Sequence, residues 1–171
     1  MSKTKSNGKL VVLVAGMFTS LLCLSLLQAR SAAAAGAVEM QVARIVNSAA
    51  DGYNRAMESG DANRWLKYFT DNVHRQGPLS VQDGKQAFSE YYQRQFETFK
   101  ARWTTRDMVV SGRTGAVEFD WEAVHKASGT PMKVAMIAVF KLAPSGKFES
   151  VNFYFDTAKL GQYAEVSGAV E

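Results

Sequence analysis

At Lys100 the hydrophobic repeat of the chain changes period. Upstream, apolar residues recur at three- and four-residue steps; downstream they alternate, and the alternation runs on to Asp156. A single change from helix period to strand period, followed by short turn signals, restricts the chain to helices leading into an antiparallel meander. That is an α+β arrangement in which the helices take their cover from the sheet. Strands are expected over residues 103–110, 115–125, 132–142 and 147–156, separated by Ser111-Gly112, Ser128-Gly129-Thr-Pro131 and Pro144-Ser-Gly146. Residues 132–142 are apolar almost throughout, as in a central strand covered on both sides. Period 2 splits the last strand into one face with Phe148, Ser150, Asn152, Tyr154 and Asp156 and another with Glu149, Val151, Phe153 and Phe155. Either the mixed row lines a cavity and the apolar row packs on a second layer or subunit, or the sheet has one ordinary wet face.

The helical half begins at residues 39–59, where Val42, Ile45, Val46, Ala49, Tyr53, Ala56 and Met57 form one stripe. Ser59-Gly60 ends it, and Asp61 is placed to cap a short helix over 62–69 with Trp65, Leu66 and Phe69 turned inward. Residues 71–81, with the turn signal Gly77-Pro78, read as irregular. A third helix over 85–100 carries Ala87, Phe88, Tyr91, Tyr92, Phe96 and Phe99, an aromatic face suited to covering a sheet or lining a hollow.

Residues 1–37 stand apart. Lys3, Lys5 and Lys9 precede an apolar run over 10–27, and an Ala-rich stretch follows over 32–37, the layout of a signal peptide cleaved near residues 34–37. The length of the run leaves an uncleaved N-terminal membrane anchor as the alternative. The boundaries are then a leader over 1–37, one domain over 38–165 and a tail over 166–171, with the domain exported to a periplasm or the exterior. Four of the twenty bases (Lys3, Lys5, Lys9 and Arg30) and none of the sixteen acids fall in the leader, so the remainder is formally neutral. An electrostatic nucleic-acid surface is not expected from such a domain.

The one cysteine, Cys23, lies in the apolar run behind bulky Leu21 and Leu22, which argues against lipidation. His74 and His125 lack ligand spacing, so no metal and no cofactor is expected. The chain has no phosphate loop, dinucleotide fingerprint or G-x-S-x-G nucleophile motif. The acidic row Glu118, Asp120 and Glu122 has the composition of a metal or acid–base site, but Lys133 and Lys141 on the next strand account for it as cross-strand charge pairing.

With the elements in order, several stretches resemble the SnoaL-like branch of the nuclear transport factor 2 superfamily. They are Ser59-Gly60-Asp61-Ala62 with Trp65 and Phe69-Thr-Asp71-Asn-Val73; Gly84 with Lys85-Gln-Ala87-Phe88; and Gly146-Lys-Phe-Glu149 through Phe155-Asp156 to Leu160-Gly-Gln162. The resemblance spans about residues 40–164. It implies a cone-shaped α+β domain, N-terminal helices packed on a curved antiparallel sheet, an apolar pocket between them, and a homodimer through the outer sheet face. Members of the superfamily include cyclases, isomerases, dehydratases and binding modules without catalysis, so fold does not settle function.

Carried over residue by residue, the resemblance makes Asp156 similar to the acid–base aspartate of the cyclases, with Tyr154, Asn152 or His74 placed to hydrogen-bond an enolate. The alternative for Asp156 is a cap on the segment from Thr157. The isomerase pattern fails at Val73-His-Arg-Gln-Gly-Pro78, which holds His74 and Gln76 but no carboxylate. Tyr53, Trp65, Tyr91, Trp121 and Asn152 are the candidate ligand contacts, core packing being the alternative for the aromatic ones. Three functions stay open: binding of a small apolar molecule in the cone, cyclase-, isomerase- or dehydratase-type catalysis by Asp156, and service as a dimeric accessory or protein-binding module.

Overall fold

The structure, a computed structural model, describes residues 8–158, with side chains from Ala32 onward. Lys3 and Lys5 of the leader, the side chains of its apolar run, the Leu160-Gly-Gln162 motif and the 166–171 tail lie outside the described residues. Contacts divide the chain into two units, Met1–Val38 and Glu39–Glu171. Helix α1 (Gly8–Ser59) starts well before the expected residue 39, because the Ala-rich stretch favours helix and no proline interrupts it.

Everything else belongs to the second unit. Helix α2 (Asn63–Leu66) is followed by strands β1 (Phe69–Gln76) and β2 (Val81–Asp83), helix α3 (Gly84–Thr98), and strands β3 (Phe99–Ser111), β4 (Thr114–His125), β5 (Pro131–Leu142) and β6 (Phe148–Phe155). The six strands form one sheet in the order β2-β1-β6-β5-β4-β3. The meander from β3 to β6 is antiparallel, as its short turns require. The sheet as a whole is mixed, because β1 pairs with β6 in parallel. The expected irregular segment over 71–81 instead holds most of β1, a turn over 77–80 and the start of β2, which pairs antiparallel with β1. Parallel pairing joins residues 76 to 79 positions apart and leaves no hairpin signal, and a register shift between Phe69 and His74 breaks the alternation.

Gly60, at φ 71°, closes α1 by donating its N–H to the Ala56 carbonyl at 2.8 Å. The second helix is shorter than expected: Asp61 Oδ1 accepts the Asn63 N–H at 3.0 Å, and Phe69 already belongs to β1. Val42, Val46, Ala49, Tyr53 and Ala56 of α1 are buried, as are Phe88, Tyr92 and Phe96 of α3. Gly115 of β4 admits α1 closely, since a side-chain carbon there would lie 3.2 Å from Val42 and 3.3 Å from Val46.

Two expectations about faces are corrected. In β5 the outward positions Ala135 and Ile137 are exposed, so this strand is covered on one side only. In β6 the two faces are reversed. Phe148 pairs with Leu142 but Ser150 pairs with Lys141, a bulge that leaves Glu149 without an opposite residue. Beyond the bulge the phase flips. Val151 and Phe153, at 0% and 8% exposure, point inward beside Phe140 and Ala138; Ser150, Asn152 and Tyr154 point outward with Val139 and Ile137. The apolar row expected to meet a second layer or subunit is part of the interior.

Gly52 sits where α1 crosses the link between α2 and β1; a side-chain carbon there would strike the Tyr68 ring and lie 2.7 Å from the Arg64 carbonyl oxygen. Gly52→Ala, normally a gain inside a helix, is expected to lower stability here by about 1–3 kcal/mol, measured by urea unfolding.

Candidate functional site

Between the helices and the inner sheet face lies a continuous set of rings. Tyr53 of α1 meets Trp65 at 5.5 Å between centroids, Tyr92 at 6.3 Å and Trp103 at 6.0 Å, and Trp103 stacks on Phe119 at 3.7 Å. Trp121 Nε1 donates to Tyr53 Oη at 2.8 Å, and Tyr53 Oη donates to Gln95 Oε1 at 3.3 Å. The expected contacts Tyr53, Trp65 and Trp121 are therefore brought together inside. Burial pushes the Tyr53 hydroxyl well above its ordinary value and the Tyr92 hydroxyl up to about 12, the latter opposed by the nearby Arg75 charge. Both phenols are neutral hydrogen-bonding groups at neutral pH.

The group that sequence reasoning missed is Arg75. It follows Val73 by two positions on the inward side of β1, opposite Val151 of β6, and is 4% exposed. Nη1 donates to Gln82 Oε1 at 2.7 Å and Ser80 Oγ at 3.2 Å, and Nη2 donates to Tyr91 Oη at 2.9 Å. The guanidinium carbon lies 3.9 Å from the centroid of the Tyr91 ring and 5.2 Å from that of Phe153. Nε has no partner, and among the described residues no carboxylate pairs with this cation. Gly77 leaves it room: a side-chain carbon there would be 3.1 Å from Nη2. In the sequence the only trace was the two-residue step from Val73 to Arg75 ahead of Gly77-Pro78.

Tyr91, an expected contact, is part of this cluster. The remaining candidates do not join it. His74 Nδ1 lies 2.6 Å from Asp83 Oδ1 on the other side of β1. Asn152 faces outward between Val139 and Gln76. Tyr154 is 54% exposed. Asp156 is exposed, and its Oδ1 accepts the Ala158 N–H at 3.0 Å, the capping alternative.

The acidic row lies on the outer face in a charge network. Lys133 bridges Glu122 at 2.6 Å and Asp120 at 3.2 Å, while Arg106 bridges Asp120 at 2.5 Å and Glu118 at 3.3 Å. Lys141 pairs instead with Glu149 at 2.9 Å. Burial raises the Asp120 carboxyl, but hydrogen bonds from Lys133 and Arg106 outweigh it and hold the group below its ordinary value. Among the described residues no cluster of three or more His, Cys, Asp or Glu could hold a metal ion. An open groove of about 730 Å³ runs between the end of α1 and β3–β5, floored by Met57, Ala101, Ala123 and Met132; Glu122 of the acidic row lines it, and none of the other candidate residues does.

The SnoaL-like domain family matches residues 50–151, which include the aromatic interior and Arg75. The chain belongs to the SnoaL-like domain family. Among solved structures it is similar to the epoxide hydrolase/cyclase-like enzyme SalBIII of salinomycin pyran-ring formation, with 22% identity over 71% of this chain and 95% of that one and a TM-score of 0.61. A SnoaL-like polyketide cyclase candidate from Jannaschia sp. CCS1 gives 18% identity over 76% and 94%, with a TM-score of 0.65. A nuclear transport factor 2-like protein from Anabaena variabilis ATCC 29413 gives 17% over 68% and 90%, with a TM-score of 0.61. At these identities the likeness establishes the SnoaL-like fold. Comparison with curated protein sequences gives no match.

Tyr53→Phe leaves the Trp121 N–H buried without its acceptor. The substitution is expected to cost about 1–3 kcal/mol by urea unfolding, with a change in tryptophan emission of the folded state.

Proposed function

We propose that this SnoaL-like domain holds a small, largely apolar molecule inside the cone, in contact with the aromatic interior and oriented by the Arg75–Tyr91 cluster. The carrying observation is Arg75: a buried cation with an unpartnered Nε–H, beside an aromatic interior in which Trp65 Nε1 also lacks a partner, is the composition of a small-molecule site. Structural neighbours described as cyclases support a polyketide-like ligand. Binding is preferred over proton-transfer catalysis by Asp156 because that carboxylate is exposed and occupied as a cap. The order of bases, apolar run and alanines in the leader supports an exported protein, with the anchored form as the alternative.

A titration of the full chain with neutral aromatic ketones and amides, acetonaphthone and naphthamide among them, is expected to show saturable quenching of tryptophan emission and a rise in Tm. At a ligand concentration of 100 times Kd the native state gains about 2.7 kcal/mol. Asp156→Asn is expected to leave the affinity within about twofold, since one exposed cap is distant from the ring cluster. No quenching and no thermal shift across the panel, with naphthoate included, would end this reading.

A second reading, self-association through the outer sheet face, is favoured by Ile137 and Tyr154. They lie directly opposite one another across β5 and β6 and are 46% and 54% exposed. Light scattering is expected to give a dimer, and Ile137→Lys with Tyr154→Lys to give a monomer of unchanged fold. A wild-type monomer across the micromolar range would remove this reading without touching the first.

A further inference from the structure

The Arg75 cluster defines its ligand more narrowly than "small and apolar". Guanidinium offers five N–H donors in two forked edges. Nη1 is occupied by Ser80 and Gln82, and Nη2 gives one N–H to Tyr91. That leaves the Nε–H, which no described group accepts, and the second N–H of Nη2, with the Tyr92 hydroxyl close to the guanidinium. Nε and Nη2 share one edge of the guanidinium plane, the edge that meets the two oxygens of a carboxylate in parallel hydrogen bonds.

Charge sets a second limit. Every described partner of Arg75 is neutral: a serine hydroxyl and carbonyl, a glutamine amide, the phenols of Tyr91 and Tyr92 and two aromatic faces. A 4%-exposed cation with no counter-charge is costly to bury, and one negative charge brought to it removes that cost. Two negative charges would replace a buried cation by a buried anion. The stack of Tyr91 on the guanidinium leaves the edge, rather than the face, for the incoming group.

From this we infer that the ligand of the cone is a monoanion, an apolar or aromatic body ending in a carboxylate that takes the Nε/Nη2 edge of Arg75. The inference rests on the small-molecule reading above and adds the charge and the group that is recognised. Arg75 is the specificity-determining residue, and Gln82, Ser80 and Tyr91 are positioning residues that fix the guanidinium plane and leave the buried Nε–H without a protein acceptor.

The test compares naphthoate, neutral naphthamide and naphthyl phosphate by calorimetric titration of the full chain. Naphthoate is expected to bind at least about tenfold more tightly than naphthamide, as a charge-assisted pair outweighs a neutral one, and more tightly than the phosphate. Arg75→Met is expected to abolish the naphthoate preference while naphthamide still binds. Arg75→Lys, which keeps the charge without the fork, is expected to lose most of the preference; it also serves if the methionine variant does not fold by circular dichroism. Equal affinity for acid and amide in the wild type overturns the monoanion assignment and leaves the apolar cone intact. Tighter phosphate binding, or a preference that survives in the Arg75 variants, overturns it as well. Binding of none of the three defeats the cone reading itself, and this inference with it.

Discussion

Parallel pairing of β1 with β6 is the constraint on which the candidate site depends. The meander from β3 to β6 would form a curved antiparallel sheet by itself, but its β6 edge would be open to solvent. With β1 in place, Arg75 lies opposite Val151 and next to Phe153, below α3, where Tyr91 can reach it. The same pairing starts with Phe69 against Phe148 at the base, where Phe69, Phe88, Phe148 and Phe140 pack ring to ring. A slip of one residue in this ladder would turn Arg75 outward and His74 inward, exchanging a buried cation for an imidazole now paired with Asp83.

Keeping a guanidinium in such a place has a cost that the chain meets only in part. Hydrogen bonds donated to Ser80, Gln82 and Tyr91 and two aromatic faces replace some of the lost hydration. A carboxylate from the protein would have completed the set, and the outer face shows that this sheet uses such pairs freely: Arg106, Lys133 and Lys141 each have an acidic partner. Arg75 stands out because it is the deeply buried base and lacks one. Gly77 belongs to the same design, because a side chain there would press on the guanidinium from the β1–β2 turn.

Much of the frame was legible because its signals are local. The stripes of α1 and α3, the four meander strands and the turn glycines at Gly60, Gly112, Gly129 and Gly146 are all fixed by neighbours in sequence. The inward set Tyr53, Trp65 and Trp121 followed from those stripes. What was not legible depends on interruptions or on distant partners. The bulge at Glu149 reverses β6, so that Val151 and Phe153 face the interior while Asn152 and Tyr154 face out. Residues 71–81 carry no clean period, and the hairpin that β1 makes with the three-residue β2 is too short to announce itself, so the buried environment of Arg75 could be seen only once β6 was beside β1. Asp156 drew attention in the sequence through its likeness to the acid–base aspartate of the cyclases and as the last member of the mixed row; that row faces outward, and its carboxylate caps Ala158.

The composition of the interior also bears on binding against catalysis. Arginine holds its proton throughout the range in which proteins are folded, and the buried hydroxyls of Tyr53 and Tyr92 are pushed up, away from neutrality. None of the three exchanges a proton readily near neutral pH, so none is suited to the base role in enolate chemistry. Arg75 can nonetheless hold negative charge at a fixed point, and such a group stabilises either a carboxylate already present or an oxyanion as it forms. The distinction then turns on whether a ligand arrives charged. A site with one permanent cation, neutral partners and a single unfilled N–H edge gains most from an anion that is present at the start, and for that reason recognition is the simpler account of this interior.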